Sequence, residues 1–388
     1  PALCYDNPMT RYTKSIAGAL LVVGISILFI GAGGNELRIR RVIAAGSFYP
    51  ADPAQLRACV TQYLNEVATL SIPSQVTGVV LPHSPYTVTG NIMAKAVKQI
   101  PQGVYKRVIV LAPAMTGEFR GCSVPSIQFY RTPLGDVELD APAVRRICVN
   151  SLIQIRGLVY REDAYQNSQA QRTTLHESET AIEVILPFLQ VHLGEFKLVP
   201  ILVSKLEKVT GKFDEHALDT IVNTLRAITD DETLVVVCSD FTRFGSPHNF
   251  TPFTRNILEN ISALDMQAFN LIQERRVKGF LAYMDESGNT ITAPEALSVF
   301  MRLMPETSHG VLTGYDLSGR ITGNPRTSVS YASMVFFGGS HNRARVKRPV
   351  IRITDKPAPV EEVESEVILP TTPDTESAQP DAEPPTIE

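Results

Sequence analysis

Three short segments carry the side chains most able to do chemistry, and each follows or ends an apolar run. These segments are PHSPYTVTG from Pro82, LAPAMTG from Leu111 and VCSDFTRFG from Val237. Because open α/β sheets bind ligands at the carboxyl ends of their strands, the three segments predict one shared site. The side chains there include His83, which can bind a metal, Met115, a soft thioether, and Arg243, a permanent cation.

This combination of side chains favours an anionic ligand over a metal ion. The guanidinium of Arg243 cannot ligate a metal and repels a cation at its tip. His83 and Met115 together supply only half of a first-row metal site, and His83 has a plainer interpretation as a hydrogen-bonded residue behind the pocket. Asp240 lies three residues before Arg243 and is predicted to form an ion pair with it. The pocket is then neutral or positive, which suits a carboxylate or phosphate ligand.

Several neighbouring side chains can be read either as pocket residues or as ordinary structure. Tyr86 and Tyr331 can line the pocket, or can lie in the core with a satisfied hydroxyl group. Glu179 and Glu183 are spaced to share one helical face, and a carboxylate is favourable at a helix N-terminus without any catalytic role. No nucleophile elbow, phosphate loop or dinucleotide fingerprint is present, so the common enzyme classes are not indicated.

The segments between these residues predict an α/β fold. The runs GVVLP, RVIVLAP, KLVPILV and TLVVVCS are short, apolar and rich in β-branched residues, as buried strands are. The segments TAIEVILPFLQ, HALDTIVNTLRAI and PEALSVFMRLM have helical spacing, and Asp52 with Pro53 and Gln55 predicts a capped helix start. The sequence therefore predicts an α/β fold whose central strands are covered on both sides by helices, with no domain boundary inside it.

The N-terminal part predicts a membrane segment. Residues 15–34 form a charge-free apolar run of about 20 residues, long enough to span a bilayer. Residues 1–14 precede it and carry Arg11 and Lys14, as expected for a signal anchor. We expect a single-pass helix with the globular domain outside the cytoplasm; the alternative is a cleaved signal and a secreted or periplasmic protein.

The C-terminal part and the overall composition exclude other classes. Residues 350–388 are rich in Pro, Glu, Asp, Thr and Ser and predict a disordered acidic tail. The formal net charge is −4 for 388 residues, so no nucleic-acid partner is indicated. The five cysteines are scattered without metal-type spacing and predict neither a disulfide framework nor a zinc site.

Seven motifs occur in the order and spacing of the Memo family, also named AmmeMemoRadiSam system protein B. They are AGSFYPAD from Ala45, PHSPYTVTG, FYRTPLGDVELD from Phe129, ETAIEVILPFLQ from Glu179, VPILV from Val199, CSDFTRFG and TSVSYA from Thr327. The chain resembles a diverged member of this family, which is similar in fold to the class III extradiol dioxygenases. The resemblance implies a single three-layer α/β/α domain around a central mixed sheet over residues 42–340. The resemblance implies a pocket of three histidines and a cysteine that can hold copper or iron.

Carried over position by position, most of that pocket is replaced. The first family histidine corresponds to His83, the second to Met115 and the third to Arg243, while the cysteine falls on Ser287. A further family histidine, in Glu-His-Ser, falls on Thr180 next to Glu179. His176 lies one helical turn before Thr180 and is a weak candidate for the same face.

We therefore expect a membrane-anchored, Memo-like domain with a degenerate metal pocket, which binds a small anion or a protein partner without catalysis and needs no cofactor. One alternative is a diverged copper- or iron-dependent redox enzyme that uses His83, Met115, Asp240 and His176. Another is a structural subunit of a membrane or extracellular assembly, with the acidic tail as its contact arm.

Overall fold

The computed structural model describes residues 38–156 and 175–339, which belong to one compact unit. The strands are β1 (Ile39–Arg40), β2 (Val76–Leu81), β3 (Arg107–Pro113), β4 (Cys122–Val124), β5 (Phe129–Thr132), β6 (Gly135–Glu138), β7 (Ile153–Ile155), β8 (Lys197–Val203), β9 (Thr233–Cys238), β10 (Arg243–Phe244), β11 (His309–Leu317) and β12 (Ser328–Phe337). The helices are α1 (Pro53–Glu66), α2 (Tyr86–Val97), α3 (Ala141–Ile147), α4 (Leu175–Ser178), α5 (Ala181–Leu193), α6 (Glu215–Arg226), α7 (Ile257–Gln273), α8 (Val277–Ser287), α9 (Pro294–Leu303) and α10 (Ser318–Thr322).

Within the described residues, nine strands form the central sheet, in the order β10-β12-β2-β9-β3-β8-β4-β7, with β11 also paired to β12. Its centre, β2-β9-β3-β8, is parallel, and β12 joins β2 in antiparallel orientation. The predicted mixed sheet is therefore confirmed. The four apolar runs predicted as strands form this parallel centre, where helices cover both faces.

Alternating side chains of each central strand enter two separate cores. Along β9, Val235 and Val237 pack in one core, while Leu234 and Val236 pack in the other, as the two-residue period of a strand requires. The first core is closed by apolar side chains of α6, α7 and α9, and the second by those of α1, α2 and α5. The sheet is thus flanked by helices on both faces, as predicted.

The structure adds a second, three-stranded sheet that the sequence does not predict, in the order β1-β5-β6. Its strand β1 has only two residues, Ile39 and Arg40, which pair with Phe129 and Tyr130 of β5. A two-residue strand has no detectable apolar periodicity, so this pairing leaves no pattern in the sequence.

The predicted start of helix α1 is confirmed. The side chain of Asp52 accepts a hydrogen bond of 2.8 Å from the amide of Gln55, and Pro53 occupies the first helical position. In the described ranges 38–156 and 175–339, none of the helices combines the length and apolarity needed to cross a membrane. The predicted membrane segment 15–34 and acidic tail 350–388 lie outside the described residues.

Candidate functional site

Three neighbouring parallel strands end at one edge of the sheet and bring the predicted segments together. His83 follows β2, Asp240 follows β9 and Met115 follows β3, and these strands are adjacent in the order β2-β9-β3. The parallel pairing places their carboxyl ends side by side, which is where an open α/β sheet accepts a ligand.

Asp240 is buried and occupies the centre of this edge. Its Oδ1 atom accepts a hydrogen bond of 3.0 Å from the amide of His83, and its Oδ2 atom accepts one of 2.6 Å from the hydroxyl of Ser84. The amide of Asp240 donates to Thr292 Oγ1 at 3.0 Å. His83 Nε2 also lies 3.3 Å from Thr292 Oγ1, so His83, Asp240 and Thr292 form one hydrogen-bonded group.

The predicted ion pair between Asp240 and Arg243 is not formed. No ion pair within 4.0 Å involves Arg243 among the ion pairs of the described residues, and the oxygens of Asp240 accept hydrogen bonds from His83 and Ser84 instead. The backbone of Arg243 is held instead by Thr290, whose hydroxyl accepts from the Arg243 amide at 2.8 Å and donates to its carbonyl at 2.9 Å. The Nε atom of Arg243 is buried and has no hydrogen-bond partner in the described part of the chain.

Two further titratable side chains surround Arg243 and Asp240. Burial lowers the pKa of His248, and the charge of Arg243 lowers it further. Burial raises the pKa of Tyr331, and the Asp240 carboxylate adds to that shift. Tyr331 is only 5% exposed, and its hydroxyl interacts with that of Ser84. It is therefore a buried wall of the site on the Asp240 side.

Glu179 closes the side of the site next to β3. Its Oε1 atom accepts hydrogen bonds from the amide and the hydroxyl of Thr116, at 2.6 Å and 2.8 Å. Burial raises the pKa of Glu179, while these hydrogen bonds and the nearby His83 act in the opposite direction. Met115, at the second family histidine position, has a side chain that is 50% exposed. Glu179 thus fixes the loop that carries Met115.

Three other residues predicted for the site, Tyr86, His176 and Thr180, are buried or half-buried in their own elements. Tyr86 is a core residue, because it is 3% exposed and its hydroxyl donates to the carbonyl of Val184 at 2.7 Å. His176 is also buried, and its Nε2 atom lies 3.1 Å from the carbonyl of Ser123. Thr180 is a half-buried residue at the start of α5, without a side-chain capping hydrogen bond.

Ser287, the residue matched to the family cysteine, contacts its own helix. Its hydroxyl donates to the carbonyl of Tyr283 at 2.6 Å. The side chain of this loop that reaches His83 is Thr292, five positions later. Sequence reasoning missed Thr290 and Thr292, and the sequence offers little signal for them because threonine is common in loops.

The donor set at this edge does not fit copper or iron. A first-row metal needs several imidazole, thiolate or carboxylate ligands. In the described part of the chain no three His, Cys, Asp or Glu side chains are grouped so that they could hold a metal ion. Asp240 is engaged by two protein donors, His83 faces a threonine hydroxyl, and Arg243 adds a positive charge.

Comparison with known proteins gives a consistent result over the whole domain. A sequence model described as Memo-like protein matches residues 40–335. Protein MEMO1 of Homo sapiens is 25% identical over 312 residues, covering 77% of this chain and 97% of that relative. A MEMO1 family protein of Methanopyrus kandleri is 29% identical over 309 residues, covering 77% and 99%. The memo-1 homolog of Caenorhabditis elegans is 26% identical over 350 residues, covering 86% and 90%. Because the family match extends over more than half of the chain and includes the whole sheet edge described above, this protein belongs to the Memo-like family.

Proposed function

We propose that this Memo-like protein binds a small anion, a carboxylate or a phosphate, at the edge formed by β2, β9 and β3, and does not transform it. The observation that supports this is the state of Arg243. Its Nε atom is buried without a hydrogen-bond partner among the described residues. Leaving such a donor unsatisfied costs about 1–3 kcal/mol, and a carboxylate or phosphate oxygen is the acceptor that a guanidinium binds best.

The neighbours of Arg243 are compatible with an anion. The carboxylate of Asp240 opposes a negative ligand, but it accepts hydrogen bonds from His83 and Ser84 and forms no ion pair with the guanidinium of Arg243 among the described residues. Thr290 holds both the amide and the carbonyl of Arg243, so the backbone that carries the cation is fixed. Such a prepared cation lowers the entropy cost of binding.

We further propose that the domain is held at a membrane by residues 15–34, outside the cytoplasm. The support is the charge-free apolar length of that segment, which matches the hydrocarbon core of a bilayer.

The anion site is tested by calorimetric titration of the detergent-solubilised full-length protein with inorganic phosphate and with succinate. We expect at least one of them to bind, and Arg243→Gln to weaken that binding about tenfold or more, because a charge-assisted hydrogen bond contributes about 1.5–3 kcal/mol. Arg145→Gln is the matched control, since Arg145 is exposed on α3 and outside the site.

Elemental analysis of the same preparations separates this proposal from a redox enzyme. We expect no stoichiometric copper or iron. Equal anion affinity in the Arg243→Gln protein and the unsubstituted protein contradicts the proposal. Stoichiometric metal that is lost in His83→Ala supports the metal-dependent alternative instead.

A further inference from the structure

Behind the candidate site lies a buried carboxyl group without a cationic partner. Asp265, in the middle of α7, is 0% exposed and takes part in none of the ion pairs of the described residues. Its Oδ1 atom accepts from the hydroxyl of Thr242 at 2.6 Å and from the Thr242 amide at 3.3 Å. Its Oδ2 atom accepts from the hydroxyl of Tyr315 at 2.7 Å. The hydroxyl of Ser330 also interacts with Asp265. A buried carboxylate that has neutral donors and no cationic partner among the described residues is energetically costly.

Asp265 holds Thr242, which connects the two charged residues of the site, Asp240 and Arg243, along the chain. Thr242 lies between Asp240 and Arg243 in the chain, and its carbonyl accepts a hydrogen bond of 2.9 Å from the amide of Ser330. Both backbone polar groups and the hydroxyl of Thr242 are therefore fixed from behind. A shift of Thr242 would move Asp240 and Arg243 together.

The hydrogen bonds among Thr242, Asp265 and Asn289 indicate whether Asp265 is protonated. The single hydroxyl proton of Thr242 faces two acceptors, Asp265 Oδ1 at 2.6 Å and Asn289 Oδ1 at 3.0 Å. If Asp265 carries a proton, it can donate to Thr242 while Thr242 donates to Asn289, and both contacts are satisfied. Burial raises the pKa of Asp265, in agreement with this arrangement. The titratable groups that face it are Tyr315 from β11 and Tyr283 from α8.

We propose that Asp265 is a positioning residue of the candidate site, which fixes Thr242 and thereby sets the places of Asp240 and Arg243. The inference rests on the proposed anion binding for its functional meaning. It adds that the geometry of the site depends on α7, although neither of the charged residues, Asp240 and Arg243, belongs to that helix.

The test compares Asp265→Asn with Asp265→Ala in the full-length protein. Asparagine keeps the shape and, like a protonated acid, supplies both a donor and an acceptor, so it should retain phosphate affinity within about twofold. Alanine removes the contact and should weaken phosphate binding about tenfold. It should also speed hydrogen–deuterium exchange in residues 239–245. Ile272→Ala, which empties a buried position of the same helix, is the control for lost packing alone.

Thr242→Val provides a second route to the same answer if Asp265→Ala does not fold. Valine keeps the shape of threonine but has no hydroxyl, and it should speed exchange in 239–245 in the same way. The proposal is overturned if these variants leave exchange and affinity unchanged, if asparagine is as defective as alanine, or if Ile272→Ala loosens 239–245 equally. If the unsubstituted protein binds neither anion, the proposed function fails, while the exchange data still decide whether Asp265 positions the loop.

Discussion

At the residue scale, a fully buried arginine ties the start of the domain to helix α5. Arg40 forms an ion pair with Glu183, and it also donates to the carbonyls of His176 at 3.0 Å, Glu179 at 2.6 Å and Arg41 at 2.7 Å. Its guanidinium carbon also lies 4.8 Å from the centre of the Tyr130 ring. Because breaking a buried ion pair leaves an uncompensated charge, removal of either Arg40 or Glu183 alone should strongly weaken the attachment of the chain before β2.

The same cluster makes His176 a source of acid sensitivity. Burial is the main cause that lowers the pKa of His176 from 6.5 to about 3, and the charge of Arg40 adds to it. Below pH 6.5 the unfolded chain binds a proton that the folded state rejects, so the free energy of unfolding falls as pH drops from 6.5 towards 3. Above pH 6.5 this residue makes no pH-dependent contribution.

We therefore predict that His176→Gln flattens the pH dependence of stability between pH 6.5 and 4. The measurement is urea unfolding of the variant and the unsubstituted protein at several pH values. His216→Gln is the control, because His216 is exposed on α6 and its loss should leave the slope unchanged. An unchanged slope in His176→Gln would show that another group causes the acid sensitivity.

At the element scale, the parallel centre of the sheet is predictable from sequence because its strands are buried on both faces. Burial on both faces requires apolar side chains at successive positions, so these strands appear in the sequence as short apolar, β-branched runs bounded by loops. The cap of α1 is predictable for a similar local reason, since Asp52 and Gln55 are three residues apart. The small sheet is not predictable, because β1 pairs with β5 across about ninety residues of chain and is fixed by Arg40 rather than by a local pattern.

The candidate site is likewise predictable from the sequence only in part. His83 and Asp240 follow strands that lie side by side, and this placement at one edge of the sheet can be anticipated from the apolar runs that precede them. The predicted ion pair of Asp240 with Arg243 is wrong, because closeness in the sequence does not fix where the two side chains lie, and Asp240 accepts hydrogen bonds from His83 and Ser84 instead. Thr292 reaches His83 from a loop more than two hundred residues away, a contact that only the tertiary structure supplies.

The short strand β10, which carries Arg243, depends on the glycine that follows it. Gly245 has a φ of +122°, and a Cβ atom there would lie 2.7 Å from the carbonyl oxygen of Arg326. We predict that Gly245→Ala lowers the free energy of unfolding by about 1–3 kcal/mol and weakens phosphate binding, since β10 must shift. Gly103→Ala is the matched control, because Gly103 has a φ of +72° with nothing within 4 Å of a Cβ atom. Equal losses in both variants, measured by urea unfolding, would show that backbone conformation alone accounts for the effect.

At the scale of the whole molecule, the buried Arg40 limits how far the domain can lie from the predicted membrane segment. The apolar run ends at Gly34, and the chain between Gly34 and Arg40 can extend at most about 20 Å. Since Arg40 is part of the domain core, a membrane-inserted 15–34 would hold the domain close to the bilayer surface. The domain would then lie next to the membrane rather than on a long flexible tether.

This arrangement predicts how the protein divides between membrane and soluble fractions. The full-length chain should remain in the membrane pellet after an alkaline carbonate wash, because a charge-free run of about 20 residues partitions stably into hydrocarbon. Deletion of residues 15–34 should release the protein into the supernatant with its unfolding midpoint unchanged, since the described domain begins at residue 38. Deletion of residues 350–388 is the control and should leave the protein in the pellet. If the full-length protein appears in the supernatant, the membrane anchor is contradicted. Mass spectrometry of its N-terminus then distinguishes two cases. A start near residue 34 indicates signal cleavage, whereas an intact N-terminus shows that the apolar segment does not hold the protein in a membrane.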